Sequence, residues 1–455
     1  FKQKTAYDIM PSLVGSEMCI RDRIYDFAAY DFWLKPYGLL LIGGKLRKLG
    51  YSIYYLDLLD PFHPELPKKP KRRNFGTGHF YKEFVPKPVY FNDVPRRFYR
   101  YGIPINILEK TLKHLKFKAI FLTCLMTYWY PGLLALLEFL TTRYSKTPIY
   151  IGGIYAKLCY NHLKNQIETY FSDYPIYIVN ENYDKFLEKI KSKYQPSGEP
   201  YSHEYPIFDL QNKIPYVVIM TSYGCPFNCP YCASKRLYPK FKTRNPEEVF
   251  REILFWYTKY GVKDFAFYDD ALLFNFESHL AVILEKILSH NLHLRFHTPN
   301  AIHARFVTKE VAKLLKKSGF KTIRIGLERV ENRFDNKLSI EEFLQAVFYL
   351  KSAGFKENEL GAYFLYGVPE EDFGEVERGL LFLAEHKVPP YLAEFSPIPG
   401  TPFFEIAKIH SRYPIEEDPI FHNNTVFPAL KKPDWKKIEN IKTLARKIRQ
   451  NLCRS

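Results

Sequence analysis

The chain has 455 residues, 46% of them apolar, and a net charge of +17. That length exceeds one ordinary core and that composition excludes a disordered chain, so two globular domains are expected. Lys and Arg are dispersed, which reads as a basic surface, and seven cysteines, three of them clustered, exclude a secreted disulfide framework and fit a reducing cytoplasm.

Residues 1–23 have no apolar period and no apolar core of a signal peptide. They resemble a translated sequencing adapter, so this stretch, with Cys19 in it, is expected to be foreign and dispensable. From 24 to 195 strands alternate with helices. Strands are predicted at 51–60, 119–124, 148–153 and 174–179, and helices at 39–49 and 133–143. This alternation predicts a parallel, Rossmann-like sheet with ligands at the carboxyl ends of its strands. Residues 119–140 are long enough to span a membrane, but Pro131-Gly132 divides them. A buried strand, a turn and a helix is the expected reading, with no transmembrane segment. Residues 61–103 carry few regular signals and are expected to be a lid or a disordered insertion. Within them "PKKPKRRNF" (67–75) reads as an exposed basic loop, able to meet nucleic acid or an anionic membrane.

A polar, Pro- and Gly-marked linker is expected over 196–213. The alternation then restarts, with strands predicted at 216–221, 264–268, 292–297, 322–325, 361–366 and 391–395. Six β/α units over 214–410 predict an incomplete parallel barrel whose strand carboxyl ends carry the chemistry. Residues 411–455 form a C-terminal extension, helical and basic over 432–449. The fold class is thus α/β: a Rossmann-like domain, a partial (β/α)6 barrel and a short helical tail.

The most specific stretch is "CPFNCPYC", with Cys225, Cys229 and Cys232 spaced C-x3-C-x2-C. Structural zinc takes four closed ligands, with His203 a distant possibility for the fourth. A ferredoxin cluster takes four cysteines. Three in a tight loop after the first barrel strand suit a [4Fe–4S] cluster with one iron open to a small molecule. The motif, with Tyr231 before the last cysteine, resembles that of the radical SAM superfamily. The resemblance implies S-adenosylmethionine chelated to the open iron and cleaved to a 5′-deoxyadenosyl radical, with electrons from a low-potential donor such as flavodoxin or ferredoxin. The protein binds and orients, and the cofactors supply the radical chemistry.

The same resemblance assigns further residues. Tyr231 would lie near the adenine. Asp269 or Asp270, at the second strand end, would accept a hydrogen bond from the S-adenosylmethionine ammonium. Glu328, at the fourth, would meet the ribose or methionine moiety. Gly367 and Pro369, at the fifth, would bring backbone to the adenine. Pro397, Pro399, Gly400 and Pro402 form a stiff turn after the sixth. His297, Asn300 and His303 lie near the third strand end, and His297 and Asn300 are the catalytic candidates toward substrate.

An α/β half before such a barrel resembles the cobalamin-binding domain of one subfamily. Thr127, Tyr128, Gly152 and Gly153 match its cofactor loops. The D-x-H-x-x-G motif is absent, because Asp57 is followed by "LLDP", and in "IVNENYDKF" only Glu181 matches the last loop. The implied cofactors are a [4Fe–4S] cluster, S-adenosylmethionine and cobalamin. The implied reaction is methylation of an unactivated carbon or phosphorus in a small-molecule or peptide substrate. Two alternatives stand beside it: a cobalamin-assisted radical cyclisation or rearrangement, and a non-enzymatic Fe–S or zinc nucleic-acid binder.

Overall fold

The computed structural model describes residues 16–196, 198–331 and 338–454. The chain divides into two compact units. The first ends at Ile214 and takes in Asp418–Ile420. The second holds Pro215–Glu417 and Phe421–Ser455.

The first unit is built on a five-stranded parallel sheet. Its strands are β1 (Ser16–Arg21), β2 (Ile53–Asp57), β3 (Phe117–Thr123), β4 (Ile149–Gly152) and β5 (Ile176–Ile178), in the order β5-β4-β3-β1-β2. The β3 sequence FKAIFLT is buried at nearly every position, as a parallel strand covered on both faces must be. Helix α1 (Tyr37–Lys48) presents Leu39–Ile42 to the core, and α2 (Tyr130–Arg143) begins at Pro131 in its first turn. The stretch at 119–140 is therefore strand, turn and helix. Among the described residues no helix is long and apolar enough to cross a membrane.

Three expectations are corrected here. Residues 16–21, set aside with the foreign leader, form the strand hydrogen-bonded to both β2 and β3. Residues 1–15 lie outside the described residues. The strand is chemically unusual. Glu17, Arg21, Asp22 and Arg23 are at most 3% exposed, and neither carboxylate oxygen of Glu17 has a hydrogen-bond partner.

The second correction concerns 61–103, which is ordered. Lys82–Phe84 pairs with Tyr99–Tyr101, which pairs with Ile24–Asp26. Phe80, Phe91, Val94 and Phe98 are buried beneath. The basic stretch 67–75 is largely exposed, with Pro70, Arg72 and Phe75 half-buried, and Arg72 reaches Asp31 and the His79 carbonyl. Third, the linker is not a free tether. Ile207 donates to the Leu40 carbonyl and is fully buried, and Arg47 pairs with Asp209. The approach is so close that a Cβ on Gly44 would lie 2.1 Å from the Tyr205 carbonyl oxygen.

The second unit carries two parallel sheets. One has β6 (Val217–Ile219), β7 (Asp264–Phe267), β8 (Arg295–His297) and β9 (Phe320–Thr322) in sequence order. The other has β10 (Ile325–Glu328), β11 (Ala362–Tyr366) and β12 (Pro390–Glu394). The single strand predicted at 322–325 is split between them. The Ile323 amide turns to the Glu359 carbonyl and the Arg324 amide to Thr298 Oγ1, which breaks the ladder. Helix α3 (Pro246–Tyr260) has its start and stop written locally: the Asn245 side chain caps the Glu247 amide, and Gly261 closes it at φ 66°. Helix α4 (Phe373–Glu385) covers β11 and β12. The C-terminal helix α5 (Trp435–Arg454) packs on α4 and β12, with Arg449 donating to the Pro390 carbonyl.

Candidate active site

The three thiols leave β6 on one loop. Cys225 and Cys229 are half-buried and Cys232 is exposed, and none of the three is in a disulfide. The loop turns tightly, since the Cys232 amide donates to the Cys229 carbonyl at 3.1 Å. Its ends are tied down. Asp269, 2% exposed, accepts from the Thr221 and Ser222 amides and from both of their hydroxyls, at 2.6–3.1 Å. Beyond the last thiol, the Ser234 amide points at Cys232 Sγ (3.4 Å) and its hydroxyl donates to Asp270 (2.5 Å). On its flanks Phe227 lies on His303, with centroids 4.5 Å apart, and Tyr231 meets Phe403 edge-on. The Phe403 amide donates to the Pro230 carbonyl, and Arg236 holds the Gly400 carbonyl, so the stiff turn after β12 braces the thiol loop.

Among the described residues no three His, Cys, Asp or Glu side chains converge on a single ion position. Thiolates that each bind a different iron of a cluster need no such convergence, and three reduced thiols on one partly exposed loop are a donor set that fits a cluster. His203 belongs to the first unit, where its ring stacks on Tyr205 at 4.5 Å.

The two aspartates expected to share one role are separated by their surroundings. Oδ1 of Asp269 gathers four protein donors and Oδ2 shares one of them, so Asp269 straps the start of the loop. Burial raises its carboxyl, and the Ser222 and Thr221 hydrogen bonds oppose that. Asp270 keeps one oxygen beyond its Ser234 contact, and burial raises it too. His297 is corrected more sharply. It is fully buried, with Nε2 3.1 Å from Asp264 Oδ1 and Nδ1 2.9 Å from Thr322 Oγ1. Burial lowers its pKa. Both ring nitrogens are engaged within the sheet, so His297 is structural. Asn300 is exposed and donates to the Tyr268 carbonyl at the end of β7, beside the two aspartates.

Glu328 closes β10 at φ 61°, a left-handed value uncommon for a residue with a side chain. Gly367 closes β11 at φ 78°, where a Cβ would lie 2.7 Å from the Phe427 ring. Pro369 is buried next to it. Sequence reasoning passed over what holds these turns. Glu371 accepts the Gly367 and Val368 amides at 2.6 and 3.3 Å and pairs with Arg329 through both oxygens at 2.7 Å. It also passed over Thr221, Ser222 and Ser234. The signals were thin: an acid two places after Gly-Val-Pro, and an arginine following Glu328.

In the first unit the strand carboxyl ends present Gly152 and Gly153. A Cβ on Gly152 would meet Val179 at 3.8 Å, an ordinary contact. Gly153, at φ 95°, is held against Thr123 and Cys124. Thr127 and Tyr128 are buried, each 6% exposed, with Tyr128 edge-on to Trp129. Asp57 accepts the Leu59 amide and pairs with Arg21, and Glu181 pairs with Lys189.

Comparison with known proteins follows this geometry. Residues 219–382 match the family model described as the radical SAM superfamily. Over those residues, about a third of the chain, the sequence resembles a radical SAM domain. An uncharacterised methyltransferase of Pyrococcus horikoshii is 30% identical over 202 residues, 43% of this chain and 42% of that protein. The chain's match thus spans less than half of that relative. The bacteriochlorophyllide d C-12(1)-methyltransferase of Chlorobaculum tepidum is 24% identical over 329 residues, 66% of this chain and 68% of that one. Among solved structures, the radical S-adenosylmethionine methyltransferase TsrM of Kitasatospora setae, with tryptophan and a SAM analogue bound, covers 89% of this chain and 82% of its own. Its TM-score is 0.62 at 13% identity. The same enzyme with cobalamin and a [4Fe–4S] cluster gives 0.57. At that identity the likeness is one of fold: mixed α/β with parallel sheets.

Proposed function

We propose that the chain is a radical S-adenosylmethionine methyltransferase that also binds cobalamin. The observation that carries the reading is the thiol loop strapped at both ends next to a carboxylate with a spare oxygen. Cys225, Cys229 and Cys232 would hold three irons of a [4Fe–4S] cluster, which supplies the electron for reductive cleavage of S-adenosylmethionine. Asp270 would accept from its ammonium, Tyr231 and the Gly367–Pro369 backbone would border its adenine, and Glu328 would meet its ribose or methionine part. Asn300 would face substrate. Gly152 and Gly153 would give a corrin backbone-close access in the first unit, with Thr127 and Tyr128 packed beneath as support. Support for cobalamin comes from the TsrM fold likeness and from the methyltransferase names of the two relatives. The substrate is an unactivated carbon or phosphorus centre, and the electron donor a low-potential protein.

The test is anaerobic reconstitution with iron, sulfide and hydroxocobalamin, then desalting, a UV–visible spectrum and incubation with dithionite and S-adenosylmethionine. Iron–sulfur and corrin absorption that survive desalting, with 5′-deoxyadenosine as product, is the expected result. A cluster without retained corrin would sink the cobalamin part. Zinc in place of iron would overturn the whole.

A further inference from the structure

Residues 30–33 and 71–84 fold into one platform on the first unit. The Lys71 carbonyl accepts from the His79 amide at 2.9 Å, and the Arg73 amide donates to the Thr77 carbonyl at 2.7 Å. Tyr30–Asp31 pairs antiparallel with Gly78–His79, and Trp33 stacks on Phe75 with centroids 6.3 Å apart. The basic residues are thus carried on a fixed turn. Rings and cations share it. Tyr30 packs against Phe32 at 5.4 Å and edge-on to His79 at 5.0 Å. The Arg73 guanidinium lies over both, 6.0 Å from the Tyr30 centroid and 5.4 Å from that of Phe32. Burial lowers the pKa of His79, and Arg73, Lys82, Lys71 and Arg72 lower it further, so four cations gather round one ring. Arg72 is neutralised by Asp31, while Lys71, Arg73 and Lys82 are exposed.

The surface continues along Lys82–Phe84, where alternation puts Lys82 and Phe84 on one side. Lys82 Nζ is 3.7 Å from the Tyr99 centroid, and Phe84 meets Tyr99 edge-on at 6.3 Å. Phe32 and Phe84 are 55% and 67% exposed. Apolar rings left that open beside exposed cations mark an interaction surface, and the charge calls for an anionic partner. A single-stranded nucleic acid needs open ring faces on which bases stack. Here Arg73 covers Tyr30 and Phe32, and Lys82 covers Tyr99. A lipid surface asks for cations at the level of its phosphates and for rings that enter the boundary between headgroup and acyl chain. We propose that this face of the first unit docks on an anionic lipid bilayer, with Lys71, Arg73 and Lys82 on lipid phosphates and Phe32 and Phe84 in the interfacial layer. The docking does not depend on the reaction proposed above.

The experiment sediments the full chain with vesicles of phosphatidylcholine alone, or of equal parts phosphatidylcholine and phosphatidylglycerol. The wild type should bind the anionic vesicles, leave them at high salt and ignore the neutral ones. Lys71→Gln, Arg73→Gln and Lys82→Gln together should weaken binding by about fivefold per charge, on the order of a hundredfold in all. Phe32→Ser with Phe84→Ser, charge intact, should weaken it by about tenfold or more, and serves if the first variant does not fold. Lys309→Gln, Lys313→Gln and Lys317→Gln remove the same charge from an exposed helix face of the second unit and should change binding by less than about twofold. Equal loss in that variant would reduce the binding to net charge and overturn the proposal. So would a wild type that binds no vesicle, one that binds neutral vesicles equally well, or patch variants that bind as the wild type does. A single-stranded oligonucleotide bound through the same residues, with vesicles ignored, would overturn it in favour of nucleic acid.

Discussion

The inner strand β1 gives the sharpest quantitative test. Glu17 lies between Ile53 and Ala119 on the neighbouring strands, with no exposed surface and no partner for either oxygen. Burial pushes its carboxyl from 4.5 up to about 7, partly opposed by Lys118. The folded state therefore holds the proton more tightly than the unfolded chain does. Its contribution is fully present below pH 4.5 and is lost as the pH rises through 7. At 1.36 kcal/mol per pH unit the ionised group costs up to about 3 kcal/mol, of which roughly 2.5 kcal/mol falls between pH 5 and pH 8. Glu17→Gln removes the titration and keeps the shape. The assay is amide hydrogen exchange on the flanking strands, Ile53–Asp57 and Phe117–Thr123, corrected for intrinsic rates at each pH. The ratio of variant to wild-type protection should rise by about seventyfold from pH 5 to pH 8. The buried Gln amide adds a cost of its own, but it is the same at both pH values and cancels in that comparison. A ratio independent of pH would mean that the carboxylate is solvated or paired, and the reasoning would fail.

Four further outcomes are expected. Alanine at any one of Cys225, Cys229 or Cys232 should abolish the iron–sulfur absorption and 5′-deoxyadenosine formation while far-UV circular dichroism is unchanged, since the loop is partly exposed. Asp269→Asn should destabilise the second unit by about 1–3 kcal/mol in denaturant unfolding, and the reconstituted protein should hold less iron. Gly367→Ala should cost about 2–3 kcal/mol, combining left-handed strain with a clash on Phe427, and Phe427→Leu should recover part of it. His297→Gln should lower the melting temperature yet leave 5′-deoxyadenosine formation within about twofold, since lost buried hydrogen bonds cost stability; a complete loss of turnover would restore it as a catalytic candidate.

Much of this architecture could be read from the residues, because apolar runs such as FKAIFLT and the Asn245-Pro246 start signal are local. The thiol loop was legible for the same reason: eight consecutive residues hold all of it. What escaped was non-local. Nothing near residues 16–23 says that a strand is needed between β2 and β3, and its charges argue against one. The division of labour between Asp269 and Asp270 depends on Thr221 and Ser222, almost fifty places earlier, and adjacent identical residues carry no sign of it. His297 looked available because its partners, Asp264 and Thr322, come from other strands. Glu371 went unnoticed because its meaning lies in an arginine 42 places upstream.

The strap made by Asp269 bears on how the thiol loop would take up a cluster. A peptide segment that must be ordered by its metal loses conformational freedom at loading, and its affinity is reduced accordingly. Here the run into the first thiol is fixed by polypeptide alone, through one carboxylate gathering four donors, and the exit is fixed at Ser234. Iron and sulfide would then meet a loop whose two ends the polypeptide already holds, so that loading would have to order fewer residues.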